Sequence, residues 1–299
     1  MAYDSDPAAD DDFARAWKPP PGDPPLWWVE KFEAKRKEEA RRKAEDPSFT
    51  TTLERVSRAG SDAQGGNPAL RFLSAVLQVV QLLVVLSLLL LLPAVLHDGG
   101  LALSKPWSAF AAYLAFFGLG SVARVVGHGR LAPRKSDRQV STWGGRLAFA
   151  AFVMALPLLH MSAMYRFAGL ALYTNAIPAV GVTLYDAIGG AGFMAAIVLN
   201  AVAANHLGPA YDRVTAPPAL VTSGPYRFVQ HPIYTSYMLL FFSYGMFLHS
   251  APTALAMLLL CVLYYKGRTA LESRVLEEAF GSYYRDYAAR TKKFVPFLV

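Results

Sequence analysis

Long apolar runs separated by short polar stretches dominate the chain between about residues 70 and 265. The first is Leu70–Leu96, in which Gln78 and Gln81 are the only strongly polar side chains. The second is about Pro106–Val126, with the small-residue pair Gly118 and Gly120. The third is about Leu147–Tyr165, with a kink expected at Pro157, and the fourth is about Ala187–Ala204, opened by Gly189-Gly190 and Gly192. The last two form a close pair, about Tyr234–Phe247 and Pro252–Tyr265, joined by the turn His249-Ser-Ala-Pro252. A hydrocarbon core of ~30 Å needs about 20 apolar residues in helical form, and a helix satisfies its own backbone polar groups in lipid. The pattern therefore predicts an all-α, polytopic helical membrane protein of about six spans. The final pair is short for that length and predicts a tilted or incompletely spanning hairpin. Phe167–Tyr185 is apolar but broken by Asn175 and Pro178, and reads as a re-entrant or interfacial piece.

Composition agrees with this reading. A mean hydropathy of +0.27 over 299 residues is too apolar for a soluble protein with so few charges in its middle. The formal charge of +7 comes from basic residues beside apolar spans, so it points to anionic lipid surfaces and not to nucleic acid. Arg55, Arg58, Arg71, Arg124, Arg130, Arg134, Lys135, Arg138, Arg146, Arg213, Arg227 and the basic residues after Tyr265 fall on one side of a six-span layout. Only Lys105 and Arg166 fall on the other. The positive-inside bias then predicts that both termini, the Thr222–Tyr234 loop and the Arg268–Val299 tail lie on the cytoplasmic or equivalent side. Cys261, the one cysteine, sits in an apolar run, so cysteine-based redox or zinc chemistry is excluded. His97, His128, His160 and His249 have no metal-ligand spacing to one another, and no metal is expected. Met1–Asp12 is acidic with no apolar segment behind it, so no cleavable signal peptide is expected.

Ahead of the spans, Met1–Pro25 is acidic and then proline-rich, which predicts disorder. Trp27 and Trp28 precede the Lys/Arg/Glu/Ala run Lys31–Lys43, which reads either as a helix lying on the membrane or as a solvated charged helix. The chain thus divides into an N-terminal tail (1–68), a transmembrane bundle (69–207) and a C-terminal unit (208–299).

The polar stretch Thr222–Tyr234 is where chemistry concentrates. Gly224-Pro225 signals a turn. His231-Pro232 places His231 outside the α region, just ahead of a helix that Pro232 can open. The loop presents Tyr226, Arg227, His231 and Tyr234 where a membrane helix begins. After the last apolar run follow Arg268, Glu272, Phe280-Gly281, Tyr284 and Tyr287. Two polar clusters flanking one apolar hairpin on one side of the membrane outline a site. Each member also has a plainer reading: a turn histidine, an i,i+4 surface pair of Arg268 with Glu272 worth ~0.3–0.5 kcal/mol, and an interfacial tyrosine belt.

In order and spacing, residues of about Asn205–Val299 resemble the isoprenylcysteine carboxyl methyltransferase and phospholipid methyltransferase superfamily. The resemblance is carried by Gly224-Pro225-Tyr226-Arg227, by Gln230-His231-Pro232-Ile233-Tyr234-Thr235-Ser236, by Glu272-Ser273, by Phe280-Gly281-Ser282-Tyr283-Tyr284-Arg285-Asp286-Tyr287, and by Pro296. Gln230 stands where the superfamily has Arg, Ser236 where it has Gly, and Ser273 where it has a second Glu. The first change removes a charge from the loop and the third leaves a single carboxylate, Glu272.

The resemblance implies binding of S-adenosylmethionine between loop and tail helix, with Gly224, Pro225, Tyr226, Arg227, His231, Pro232, Tyr234, Glu272, Tyr284 and Tyr287 as cofactor-binding residues. It implies His231, Arg268 and Glu272 as catalytic residues. Such chemistry suits the residue types. A carboxylate accepts from hydroxyl or ammonium groups, a guanidinium pairs with a carboxylate, and tyrosine rings offer flat faces with a polar tip. An imidazole, titrating ordinarily near ~6.5, can serve as base if the acceptor is an amine or thiol. The implied reaction is methyl transfer to a lipophilic acceptor arriving from the membrane, nearest in motif to the carboxyl of a prenylated cysteine, with a phospholipid or small thiol as alternatives. Two other classes fit the same apolar architecture. One is a haem-using isomerase or sterol reductase, for which His160 would matter. The other is an inactive scaffold, motivated by Gln230 and Ser273.

Overall fold

The computed structural model describes residues 37–38, 41–46, 68–128, 143–174, 182–207 and 220–295. The proline-rich start, Trp27 and Trp28, Asn175, Pro178 and Pro296 lie outside the described residues. Among the described residues the secondary structure is helical, apart from one isolated parallel bridge between Val229 and Lys292. Near the N-terminus, Arg41 pairs with Glu38 and Glu45 at 3.1 and 3.0 Å, all three on exposed side chains, as on a solvated charged helix.

The principal helices among the described residues are α1 (Pro68–Leu86), α2 (Ser104–His128), α3 (Trp143–Tyr173), α4 (Leu184–Leu207), α5 (Pro232–Phe247), α6 (Ala251–Phe280) and α7 (Ser282–Arg290). Helix α1 runs into a π-helical stretch, Ser87–Leu91, and a last α turn, Leu92–Val95. Pro93 accounts for the irregularity: it lacks the N–H that would bond back to Leu89, and its ring crowds that carbonyl, so the turn before it widens. Helix α3 continues unbroken through Pro157 and ends at Tyr173, so it absorbs the first part of the segment expected to be re-entrant.

Among the described residues, three helices are long and apolar enough to cross a membrane: α3, α4 and α6. Helix α5 has 16 residues, as its short apolar run predicts, and the expected count of about six spans is not confirmed by the described helices. The exposed side chains of α6 at Leu255, Leu259 and Leu263 recur every fourth residue, which gives one apolar stripe along the helix. With α3 and α4 likewise apolar outside, this is an integral membrane protein.

The largest departure from expectation is in α6. Its polar switch after Tyr265 does not end the hairpin and start a separate tail helix. One helix of 30 residues, roughly 45 Å at ~1.5 Å per residue, runs through it and carries Arg268 and Glu272 past the apolar part. The break comes at Gly281, whose φ of +57° lies in the left-handed region where a side chain is strained.

Small residues draw α4 against α5. A Cβ on Gly189 would sit 2.6 Å from the Phe247 backbone nitrogen, and one on Gly192 would sit 2.0 Å from Ser243 Oγ. Close backbone approach of this kind is how helices associate in lipid, where no hydrophobic drive acts between them. By contrast, a methyl on Gly118 would make only an ordinary 3.8 Å contact. At the bundle centre His160 is buried and satisfied. Its Nδ1 faces the Leu156 carbonyl at 2.8 Å and therefore carries the proton, and its Nε2 accepts from Tyr113 O–H at 2.6 Å. No ring nitrogen is left over for a haem iron, so His160 is a core histidine.

The turn end of the hairpin, opposite His231, holds an ionic clamp. Lys105 pairs with Asp186 and donates to the Phe247 carbonyl at 2.8 Å. Asp186 also accepts from the Thr183 N–H at 2.9 Å and lies 3.3 Å from His249 Nε2. Both charged side chains of the ion pair are mostly buried, so Asp186→Asn leaves an uncompensated ammonium. The expected destabilisation is at or below the lower end of the ~3–5 kcal/mol found for breaking buried pairs, since some exposure remains. Thermal unfolding in detergent checks this, and the double variant Lys105→Met/Asp186→Asn is expected to recover part of the loss.

Candidate active site

Local sequence rules build the loop. Gly224–Arg227 forms a 3-10 turn with Pro225 near its start, and His231 caps α5 with Pro232 in the first turn. Gly224 has φ +60°, and a Cβ there would lie 2.3 Å from the His206 ring, so both backbone and space require glycine. His206 itself is exposed at the end of α4.

Glu272 is the centre of the polar cluster. Its Oε1 accepts from Tyr234 O–H and from Arg268 Nε, the latter at 3.1 Å. Its Oε2 lies 3.5 Å from His231 Nδ1. Arg268 and Glu272 are thus more than an i,i+4 surface pair, because a phenol and an imidazole from the start of α5 converge on the same carboxylate. The side chain of Glu272 is 14% exposed and that of His231 6%. The charge-assisted bonds are therefore screened far less than on an open surface. The His231 and Tyr234 rings stack at 5.5 Å and 24°, and Tyr234 stacks on Tyr265 at 4.4 Å and 17°.

The tail returns to the loop. Backbone N–H groups of Gln230 and His231 donate to the carbonyls of Lys292 and Lys293 at 2.8 and 3.0 Å. Thr235 Oγ1 donates to the Phe294 carbonyl at 2.7 Å. Tyr287 O–H donates to the Tyr226 carbonyl at 2.8 Å, and Tyr284 O–H to Ser273 Oγ at 2.8 Å. Burial pushes the pKa values of the Tyr284 and Tyr287 phenols up, so both remain donors at neutral pH.

The residues expected to form one site therefore separate into groups. His231, Tyr234, Arg268 and Glu272 meet directly. Tyr226 is buried in a cluster with Ala203 and Ile233, and Tyr284 and Tyr287 are buried with Leu220 and Phe280, their hydroxyls engaged within the protein. Arg227 is exposed. Sequence reasoning missed Tyr265, which reads as one more apolar position, and Thr235, whose bond to the tail has no local signal. Two departures from the superfamily pattern gain a structural role: Ser273 is the acceptor for Tyr284, and Gln230 Nε2 donates to the Ala288 and Thr291 carbonyls at 3.3 and 2.8 Å.

Residues 185–283 match the phospholipid methyltransferase family. That stretch takes in α4, the loop, the hairpin and Phe280-Gly281, and it agrees with the superfamily resemblance carried by the C-terminal motifs. It begins at Tyr185, before the residues to which the motifs extend. No curated protein matches the chain. The family match supports a methyltransferase acting on lipid-type substrates.

Proposed function

We propose that the chain transfers a methyl group from S-adenosylmethionine to a lipid-borne acceptor at the membrane surface, with His231, Arg268 and Glu272 acting on the reacting groups. The observation that supports this most is the convergence of Tyr234, Arg268 and His231 on Glu272 at the mouth of an apolar hairpin. The residues fit such a cofactor. Glu272 Oε2 keeps acceptor capacity for a hydroxyl or ammonium group. Arg268 places a five-donor guanidinium beside Glu272, which suits pairing with a carboxylate, and Tyr234 and Tyr265 offer stacked ring faces. Gly224, Pro225, Tyr226, Arg227, Pro232, Tyr284 and Tyr287 act by shaping the loop and tail around these groups.

When bound, S-adenosylmethionine supplies an activated methyl whose in-line transfer disperses positive charge. The protein's part is then positioning and exclusion of water. His231 adds a base: with Nδ1 turned to Glu272, its other nitrogen can take a proton from an acceptor. A carboxylate acceptor needs no base, whereas an ammonium headgroup must lose a proton first. The His231–Glu272 pairing together with the family match therefore favours a phospholipid amine. The order and spacing of the loop and tail motifs favour the carboxyl of a prenylated cysteine.

The test is methyl transfer from labelled S-adenosylmethionine to an aminophospholipid and to a prenylcysteine, each in lipid nanodiscs. For an amine acceptor, His231→Ala is expected to lower kcat by about a hundredfold or more. For a carboxyl acceptor, the same variant acts mainly on KM. Transfer to neither lipid by a folded, cofactor-binding protein contradicts a lipid-borne acceptor of these two kinds.

A further inference from the structure

Gln230 occupies a position that the cofactor constellation does not use, yet it is tied in three ways. Its backbone N–H donates to Lys292, and its carboxamide nitrogen donates one hydrogen to each of two carbonyls, Ala288 and Thr291. Both carbonyls belong to the C-terminal end of α7 and the residue after it, where helical carbonyls lack intrahelical partners. Beyond them the chain runs past His231, whose N–H bonds to Lys293 and whose ring lies 6.2 Å from that of Phe294. Thr235 closes the far end on the Phe294 carbonyl. The side chain of Gln230 thus turns toward the tail, and its lack of charge is not presented to an acceptor.

We propose that Gln230 is a positioning residue: its carboxamide fastens the segment Ala288–Phe294 against His231 and so holds the imidazole in register with Glu272. The fastening follows from the bonds themselves, and its consequence for the cofactor rests on the function proposed above. What the position requires is a donor of at least two hydrogens. Arginine can supply that, alanine supplies none, and a glutamate supplies one hydrogen only while protonated, because its ionised form faces two carbonyl oxygens. Near two carbonyls such a carboxyl titrates above its ordinary range. Its fastening is therefore present at low pH and lost as pH rises.

Two readouts on the full chain in nanodiscs test this. In hydrogen exchange, the peptide spanning Ala288–Phe294 is expected to exchange faster in Gln230→Ala and at the parent rate in Gln230→Arg. In equilibrium binding of labelled S-adenosylmethionine, Gln230→Ala is expected to bind about tenfold more weakly, with Gln230→Arg restoring affinity. Relative to the parent, Gln230→Glu is expected to improve as pH is lowered from about 8 to about 5. Unchanged tail exchange in Gln230→Ala overturns the proposal whatever the cofactor result. Faster exchange with unchanged affinity, or a Gln230→Glu profile parallel to the parent, overturns the positioning role. A parent protein that binds no cofactor contradicts the proposed function instead, and the fastening is then decided by exchange alone.

Discussion

Replacing Glu272 with alanine is expected to weaken binding of S-adenosylmethionine by at least about a hundredfold, or ~2.8 kcal/mol at ~1.4 kcal/mol per tenfold. One carboxylate takes Tyr234, Arg268 and the neighbouring His231, so its removal costs several charge-assisted contacts together and leaves a half-buried guanidinium without that partner. Because the same carboxylate holds Tyr234 and faces His231, methyl transfer is expected to fall with binding and not to persist at high cofactor concentration. Glu272→Gln keeps an acceptor oxygen but loses the charge, and an intermediate effect of about tenfold is expected. Isothermal or filter binding on both variants, with thermal unfolding as control for the fold, checks the ordering alanine worse than glutamine. Equal, near-parental affinities in well-folded variants would remove Glu272 from the site.

A second large effect is expected far from the chemistry. Gly189→Leu places its first carbon 2.6 Å from the backbone nitrogen of Phe247, and backbone cannot give way as a flexible side chain can. Forcing α4 away from α5 is expected to cost ~3 kcal/mol or more by overpacking alone. It also disturbs Phe247, whose carbonyl is held by Lys105, so the turn-end clamp is loosened with it. The expected result is loss of monodisperse folded protein on size-exclusion chromatography. Gly190→Leu, at a position where a Cβ meets nothing within 4 Å, is expected to behave like the parent. If Gly189→Leu matches Gly190→Leu in yield and melting temperature, the close crossing of α4 and α5 is wrong.

Much of this was legible in the sequence wherever short-range rules decide the structure. His231-Pro232 and Gly224-Pro225 fixed the shape of the loop, because proline and glycine act on their own and adjacent dihedrals. The four-residue spacing from Arg268 to Glu272 put both on one helix face. What stayed hidden depends on contacts distant in sequence. The return of Lys292–Phe294 onto Gln230, His231 and Thr235 is one such contact, and the pairing of Lys105 with Asp186 is another. The continuity of α6 is hidden for a different reason. The change from apolar to charged residues after Tyr265 marks a change of environment and not a helix end, since no proline intervenes and charged residues such as Lys266, Arg268 and Glu272 are good helix formers. Tyr265 was invisible because a ring that stacks on a site residue has the same hydropathy as one that faces lipid.

The central claim is that the Glu272 cluster binds S-adenosylmethionine, and its most direct test is saturable binding of the labelled cofactor to the parent protein in lipid nanodiscs. One site per chain is expected, with binding competed by S-adenosylhomocysteine and lost in Glu272→Ala. A folded parent protein that shows no saturable binding across several lipid compositions would contradict it.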